Sequence, residues 1–152
     1  MCLYNRGQSS NFNHKRKGEG MVTVVLTADR DNTLAGMLEG MIHRVNPEAE
    51  VEIFDSGDEV ISHYLKREKE EEAQVVLVIL ALRLYGEKNG PQVAKLLRKK
   101  GYEGPIIAFS GGSKNLWEEM IRDKKFFFLR KADADDLAIL RIKLAAHTTP
   151  IG

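Results

Sequence analysis

The run Val75–Leu82, VVLVILAL, is apolar at every position. A strand with one solvated face alternates apolar and polar residues, so a run without alternation needs cover on both faces; its β-branched content favours a strand over a helix. The chain is therefore constrained to a sheet held between two layers of helices. Four shorter runs can supply the remaining strands: Val22–Leu26, Val51–Phe54, Pro105–Ser110 and Phe126–Arg130.

Amphipathic stretches separate these runs. In NTLAGMLEGMIHRV, residues Leu34, Leu38, Met41, Ile42 and Val45 recur at helical spacing behind Asn32, the expected N-cap. Gly36 and Gly40 weaken this helix and are expected to let it pack closely on the sheet. A second helix is expected over Gly57–Lys69, with Val60, Ile61, Tyr64 and Leu65 on its inner face and the charged run Lys66–Glu72 as its solvated end. The third follows the loop RLYGEKNG, with Pro91 in its first turn and Gly101 as its stop. Lys114–Asp123 reads as a short fourth helix and Asp133–His147 as the fifth, its acids leading as the helix dipole favours.

Five strand-then-helix units imply an α/β fold: a five-stranded parallel sheet, doubly wound into three α/β/α layers by right-handed crossovers. Such a sheet gathers its functional groups at the C-terminal ends of the strands. The expected domain spans 21–148, preceded by a disordered arm, 1–20, and followed by a short tail, 149–152. The arm is polar and rich in Gly, Ser and Asn, so it cannot bury enough surface to offset its ordering entropy. Lys17-Gly18-Glu19-Gly20 is what a purine-rich ribosome-binding site gives when translated. This motivates the hypothesis that the native start is Met21, which an N-terminal peptide beginning at Met1 would refute.

Composition narrows the function classes. The 152-residue chain is 43% hydrophobic, enough for one core, and its 23 Lys and Arg against 22 Asp and Glu give a net charge of +1. That balance predicts no general attraction to nucleic acid or to an anionic membrane. No apolar run approaches the roughly 18 residues of a membrane span, and the lone Cys2 excludes an internal disulfide, so a cytoplasmic location is expected. Histidines 14, 43, 63 and 147 have no metal-ligand spacing, and SGGSK, Ser110–Lys114, lacks the leading glycine of a phosphate loop.

The order of elements and three local segments resemble a response-regulator receiver domain, the CheY-like variant of the flavodoxin-like fold. Val75–Leu82 with its RLYGEKNG loop is similar to the family's segment around the phosphorylated aspartate. GYEGPIIAFSG is similar to the approach to its conserved hydroxyl, and FFLRKADADDL to its last strand, lysine and helix. The resemblance covers nearly all of 21–147. It assigns Ser110 to the conserved Ser/Thr, Phe128 to the aromatic whose rotation reports activation, and Lys131 to the conserved lysine. It also implies a protein partner, a histidine kinase or another signalling protein. The expected docking face combines the fourth helix, fifth strand and fifth helix, including Trp117, Phe128, Leu137 and Arg141. Trp117 is read either as core or as an exposed anchor of that face, which is also a candidate homodimer surface.

The departures from the family lie at its chemical centre. By the resemblance, the phosphoacceptor position is Ala81, and the acidic pair that holds magnesium falls on Thr27 and Ala28, with Asp29 as a substitute acid. Alanine supplies neither nucleophile nor ligand, so neither phosphoryl transfer nor bound Mg²⁺ is expected. A shifted register would make Asp29 and Asp31 the metal acids, preserving cation binding without phosphorylation. For Lys131, Asp29, Asp133 and solvent are the alternative partners; converging with the Gly111-Gly112 amides, it would make the pocket weakly anion-attracting. The expected function is thus a non-enzymatic, degenerate receiver acting by phosphorylation-independent docking, with no cofactor. The alternatives are a phosphorelay receiver with an atypical acceptor and a small-anion or ligand sensor.

Overall fold

The computed structural model describes residues 21–112 and 114–131. Within them the elements follow in the order β1 (Val22–Ala28), α1 (Asn32–Val45), β2 (Glu50–Phe54), α2 (Gly57–Glu68), β3 (Ala73–Leu80), α3 (Gly90–Lys99), β4 (Ile106–Ser110), a 3₁₀ segment (Lys114–Met120) and β5 (Phe126–Arg130). The arm at 1–20, the expected fifth helix with Asp133, Leu137 and Arg141, and the tail lie outside the described residues.

All strand pairings are parallel, in the order β2-β1-β3-β4-β5. This is the doubly wound α/β arrangement expected from the sequence. β3 is buried along nearly all its length, which accounts for its unbroken apolar pattern. Its side chains feed two cores. On one face, Val60 and Tyr64 of α2, Val93 and Leu97 of α3, and Trp117 pack against Val78 and Leu80. On the other, Leu38, Met41 and Ile42 of α1 pack against Val25, Leu77 and Ile79. The chain runs outward from β1 to β2 and returns across it to β3, so the sheet's switch point is the crevice beyond the ends of β1 and β3.

Local chemistry places several boundaries differently from expectation. Asp31, not Asn32, caps α1: one carboxylate oxygen accepts from the N–H groups of Thr33, at 2.9 Å, and Leu34, at 3.3 Å. Gly36 and Gly40 lie on the exposed side of α1, where an added Cβ would meet no atom within 4 Å, so close packing on the sheet is not their role. Leu65 is exposed rather than on the inner face of α2. The charged end of α2 is not simply solvated, because Arg67 ties the helix to edge strand β2 through Glu50, at 2.7 Å, and Glu52, at 2.5 Å, and also holds Glu70. β3 ends at Leu80, before Ala81 and Leu82.

That ending shapes the loop. Ala81 N–H still donates to the Ala28 carbonyl at 2.9 Å, and the chain then turns until Gly90 N–H reaches the Leu82 carbonyl at 2.9 Å. A Cβ at Gly90 would collide with the Ala81 carbonyl and the Trp117 ring, so only glycine fits there. Asn89 and Gln92 form a reciprocal capping box at the start of α3, with Pro91 in the first turn. Gly101, at φ +102°, stops the segment as expected.

Candidate functional site

A cavity of about 720 Å³ opens at the switch point. The end of β1 contributes Asp29, Arg30 and Asp31, while the loop after β3 contributes Leu82, Arg83 and Tyr85. Ser110, Gly111 and Gly112 come from the end of β4, Leu116 from the 3₁₀ segment and Lys131 from the end of β5. Four strand ends thus deliver polar groups into one recess, as the parallel topology dictates.

Asp29 is its most buried charge, with a side chain 4% exposed. Its Oδ1 accepts the Asp31 N–H at 2.9 Å, and its Oδ2 lies 3.0 Å from Lys131 Nζ. The latter contact is ionic without hydrogen-bond geometry, since Oδ2 has no hydrogen-bond partner. Of the alternatives for Lys131, the structure places its ammonium on Asp29. Burying a carboxylate without an opposite charge is costly, and Lys131 meets that requirement from a side chain that keeps 26% of its surface in solvent.

Ser110 is 1% exposed, and its Oγ accepts the Gly112 N–H at 3.0 Å. Ser110, Lys131 and Asp29 are therefore brought together. The anion-attracting arrangement of Lys131 with the glycine amides is largely committed internally, the ammonium to Asp29 and the Gly112 N–H to Ser110.

The other expected residues lie elsewhere. Thr27 and Ala28 are inside β1, buried, and do not line the cavity. Thr27 Oγ1 has no hydrogen-bond partner. Ala81 is 3% exposed within the core on the α2–α3 face, leaving its neighbour Leu82 on the cavity wall. Phe128 pairs in register with Ala108 and packs half-buried against the same core. Of the two readings of Trp117 the core one holds and the anchor on the partner face does not: it is 0% exposed and lies tilted beside Phe126 at 5.7 Å between ring centroids. The segment is kinked at Trp117, whose φ −109° and ψ 21° are not helical, and the indole lies inward against Gly90.

Magnesium, which the receiver resemblance implies, is poorly matched by these residues. Hard cations take several oxygen ligands in near-octahedral geometry. Ala28, Ala81 and the wall residue Leu82 have no side-chain oxygen, Asp29 Oδ1 accepts the Asp31 N–H while Oδ2 faces the Lys131 ammonium, and Asp31 Oδ1 caps α1. Among the described residues no group of three His, Cys, Asp or Glu side chains could hold a metal.

Sequence reasoning missed the rim. Arg30 lies over the Tyr85 ring, with 5.2 Å from its guanidinium carbon to the centroid, and Tyr85 and Leu116 are each 53% exposed. Tyr85 is fixed by its N–H donating to the Asp55 carbonyl at 2.8 Å and by an isolated parallel bridge with Ser56. A pairing between the loop after β3 and the end of β2 has no local sequence signature.

Several solved structures share this fold. A response regulator receiver protein from Sinorhizobium medicae superposes with a TM-score of 0.66 at 20% identity, over 84% of this chain and 95% of that one. The receiver domain of NtrX from Brucella abortus gives 0.68 at 21% identity, over 82% and 99%. A CheY-like response regulator receiver domain from Methanospirillum hungatei gives 0.68 at 16% identity, over 84% and 95%. No protein-family model and no curated protein matches the sequence. The chain has the receiver fold, and no described helix is long and apolar enough to cross a membrane.

Proposed function

We propose that the protein is a receiver-fold signalling module that works by docking to a protein partner and neither accepts phosphate nor binds magnesium. The observation that carries this reading is the Asp29–Lys131 pair at 3.0 Å in a cavity whose wall at the end of β3 is Leu82, with Ala28 and Ala81 buried in the core behind it. A receiver's chemistry needs a free carboxylate nucleophile and oxygen ligands for a cation, because its transition state is stabilised by positioning and charge neutralisation. At this crevice the carboxylate nearest the strand ends is already neutralised by the lysine that would otherwise meet the phosphoryl group. Ser110 keeps its hydroxyl at the strand end and uses it to fix Gly112.

With alanine at the position matched to the acceptor and a ligand set that fits magnesium poorly, the fold's remaining asset is a sheet that presents loops at one edge. Output then depends on what those loops touch, and the module is not an enzyme. Incubation with acetyl phosphate and magnesium followed by intact-mass measurement tests this reading. The mass is expected to stay unchanged, and a base-labile gain of one phosphate would overturn it.

A further inference from the structure

We propose that the cavity rim formed by Arg30, Arg83, Tyr85 and Leu116 is a docking surface for an extended acidic segment of a partner protein that carries apolar side chains among its carboxylates. This rests on the docking reading above and names its surface and the chemistry of its partner.

The charges of the cavity sort into two groups. Asp29 and Lys131 neutralise each other at the floor, while Asp31 is an exposed carboxylate whose Oδ1 caps α1 and whose charge remains in the lining. At the wall, Arg30 and Arg83 are exposed, and no carboxylate among the described residues lies within ion-pair distance of either. The lining therefore carries three cations against two carboxylates, a net positive charge with both arginines on the rim. Arginine presents a planar fork of donors that pairs two-to-two with a carboxylate, a geometry that lysine lacks.

The rim is also apolar and ordered. Tyr85 and Leu116 expose large side chains beside Leu82, and aromatic side chains and arginine are enriched at recognition surfaces. Arg30 is stacked over Tyr85, and the Tyr85 backbone is anchored to Asp55, so part of the ordering cost of binding is met before a partner arrives. A carboxylate at the arginines with a neighbouring apolar group on Tyr85 or Leu116 would satisfy both characters.

A nucleic acid matches less well. The rim offers two arginines where backbone binding of a nucleic acid uses a row of cations, and the chain's net charge of +1 gives little long-range attraction to a polyanion.

The test uses the full chain and a fluorescein-labelled peptide, Gly-Asp-Leu-Asp-Phe-Glu-Gly, read by anisotropy and by amide NMR. Saturable binding is expected, weakened by salt, with shifts confined to residues 30, 82–86 and 110–116. Arg30→Glu with Arg83→Glu is expected to weaken it at least tenfold, and Leu116→Ser several-fold, with far-UV circular dichroism unchanged. Peptides with lysine for the acids, or alanine for Leu and Phe, are also expected to bind at least tenfold more weakly. Absent binding, binding unaffected by the arginine reversals, or tighter binding of a uridine oligonucleotide at the same residues would each overturn the proposal. A phosphate adduct in the mass experiment would overturn the docking reading itself, whereas no adduct together with no peptide binding would overturn this surface alone.

Discussion

Lys131 Nζ sits 3.0 Å from Asp29 Oδ2, joining the end of β5 to the end of β1 across the mouths of β3 and β4. The two partners are unequally buried, with side chains 26% and 4% exposed, and this asymmetry makes their removal unequal. Lys131→Met strands a buried carboxylate, while Asp29→Asn leaves an ammonium that can swing into solvent and keeps an acceptor for the Asp31 N–H.

Breaking a fully buried pair from one side costs about 3–5 kcal/mol. With Lys131 partly solvated, Lys131→Met is expected to cost about 2 kcal/mol at neutral pH and Asp29→Asn less, with the double variant costing less than the sum. Urea unfolding of the four proteins checks this. Asp29→Asn costing more than Lys131→Met would contradict the account.

Thr27 is fully buried, and its Oγ1 has no hydrogen-bond partner. A buried, unsatisfied polar group costs about 1–3 kcal/mol, so the nearly isosteric Thr27→Val is expected to stabilise the fold by about 1 kcal/mol. A loss of stability in thermal unfolding would show that the hydroxyl has a use the buried geometry does not reveal.

Gly36 and Gly40 stand on the open side of α1, where a methyl group meets nothing. Each is expected to gain about 0.5–1 kcal/mol on replacement by alanine, which restricts the unfolded chain and favours the helix. Chemical unfolding of Gly36→Ala and Gly40→Ala checks the sign.

Asp123 holds Arg98 through Oδ2 at 2.7 Å and accepts the Lys125 N–H through Oδ1 at 2.9 Å, while Arg98 also donates to the Tyr102 and Gly104 carbonyls. Burial pushes the Asp123 carboxyl upward, but the Arg98 hydrogen bond, the Lys125 N–H and the nearby cations outweigh it and hold the pKa below the ordinary carboxylate value. A group with a depressed folded pKa contributes stability that is present above its unfolded pKa and is lost as pH falls through the folded one. Asp123→Asn is thus expected to cost about 1.5–3 kcal/mol at pH 7, the value of hydrogen bonds to a charged group, and to converge on the wild type in strong acid. An equal difference at both ends of the range would contradict the assignment.

The fold was legible because its signals are local and repeated. Val75–Leu82 carries a central strand in its lack of alternation, and Pro91 and Gly101 bracket a helix by backbone chemistry alone. The site was legible where strand ends determine it: Ser110, Lys131 and Asp29 meet because parallel strands end together. Trp117 was legible only as a choice between core and anchor, since an amphipathic reading of Lys114–Asp123 cannot foresee the kink at Trp117 or which way the indole faces. Arg30 and Tyr85 were not legible, because their stack depends on a contact between two loops far apart in sequence. Gly36 and Gly40 misled for a related reason, because a glycine permits close approach without showing which side of the helix needs it.

On the docking reading proposed above, this receiver fold takes no phosphate. Its most direct test is the intact mass of the full chain after incubation with acetyl phosphate and magnesium, run beside an active receiver domain treated identically. An unchanged mass for this chain, with one phosphate gained by the control, is the predicted result. A base-labile, acid-stable gain of one phosphate on this chain would contradict it.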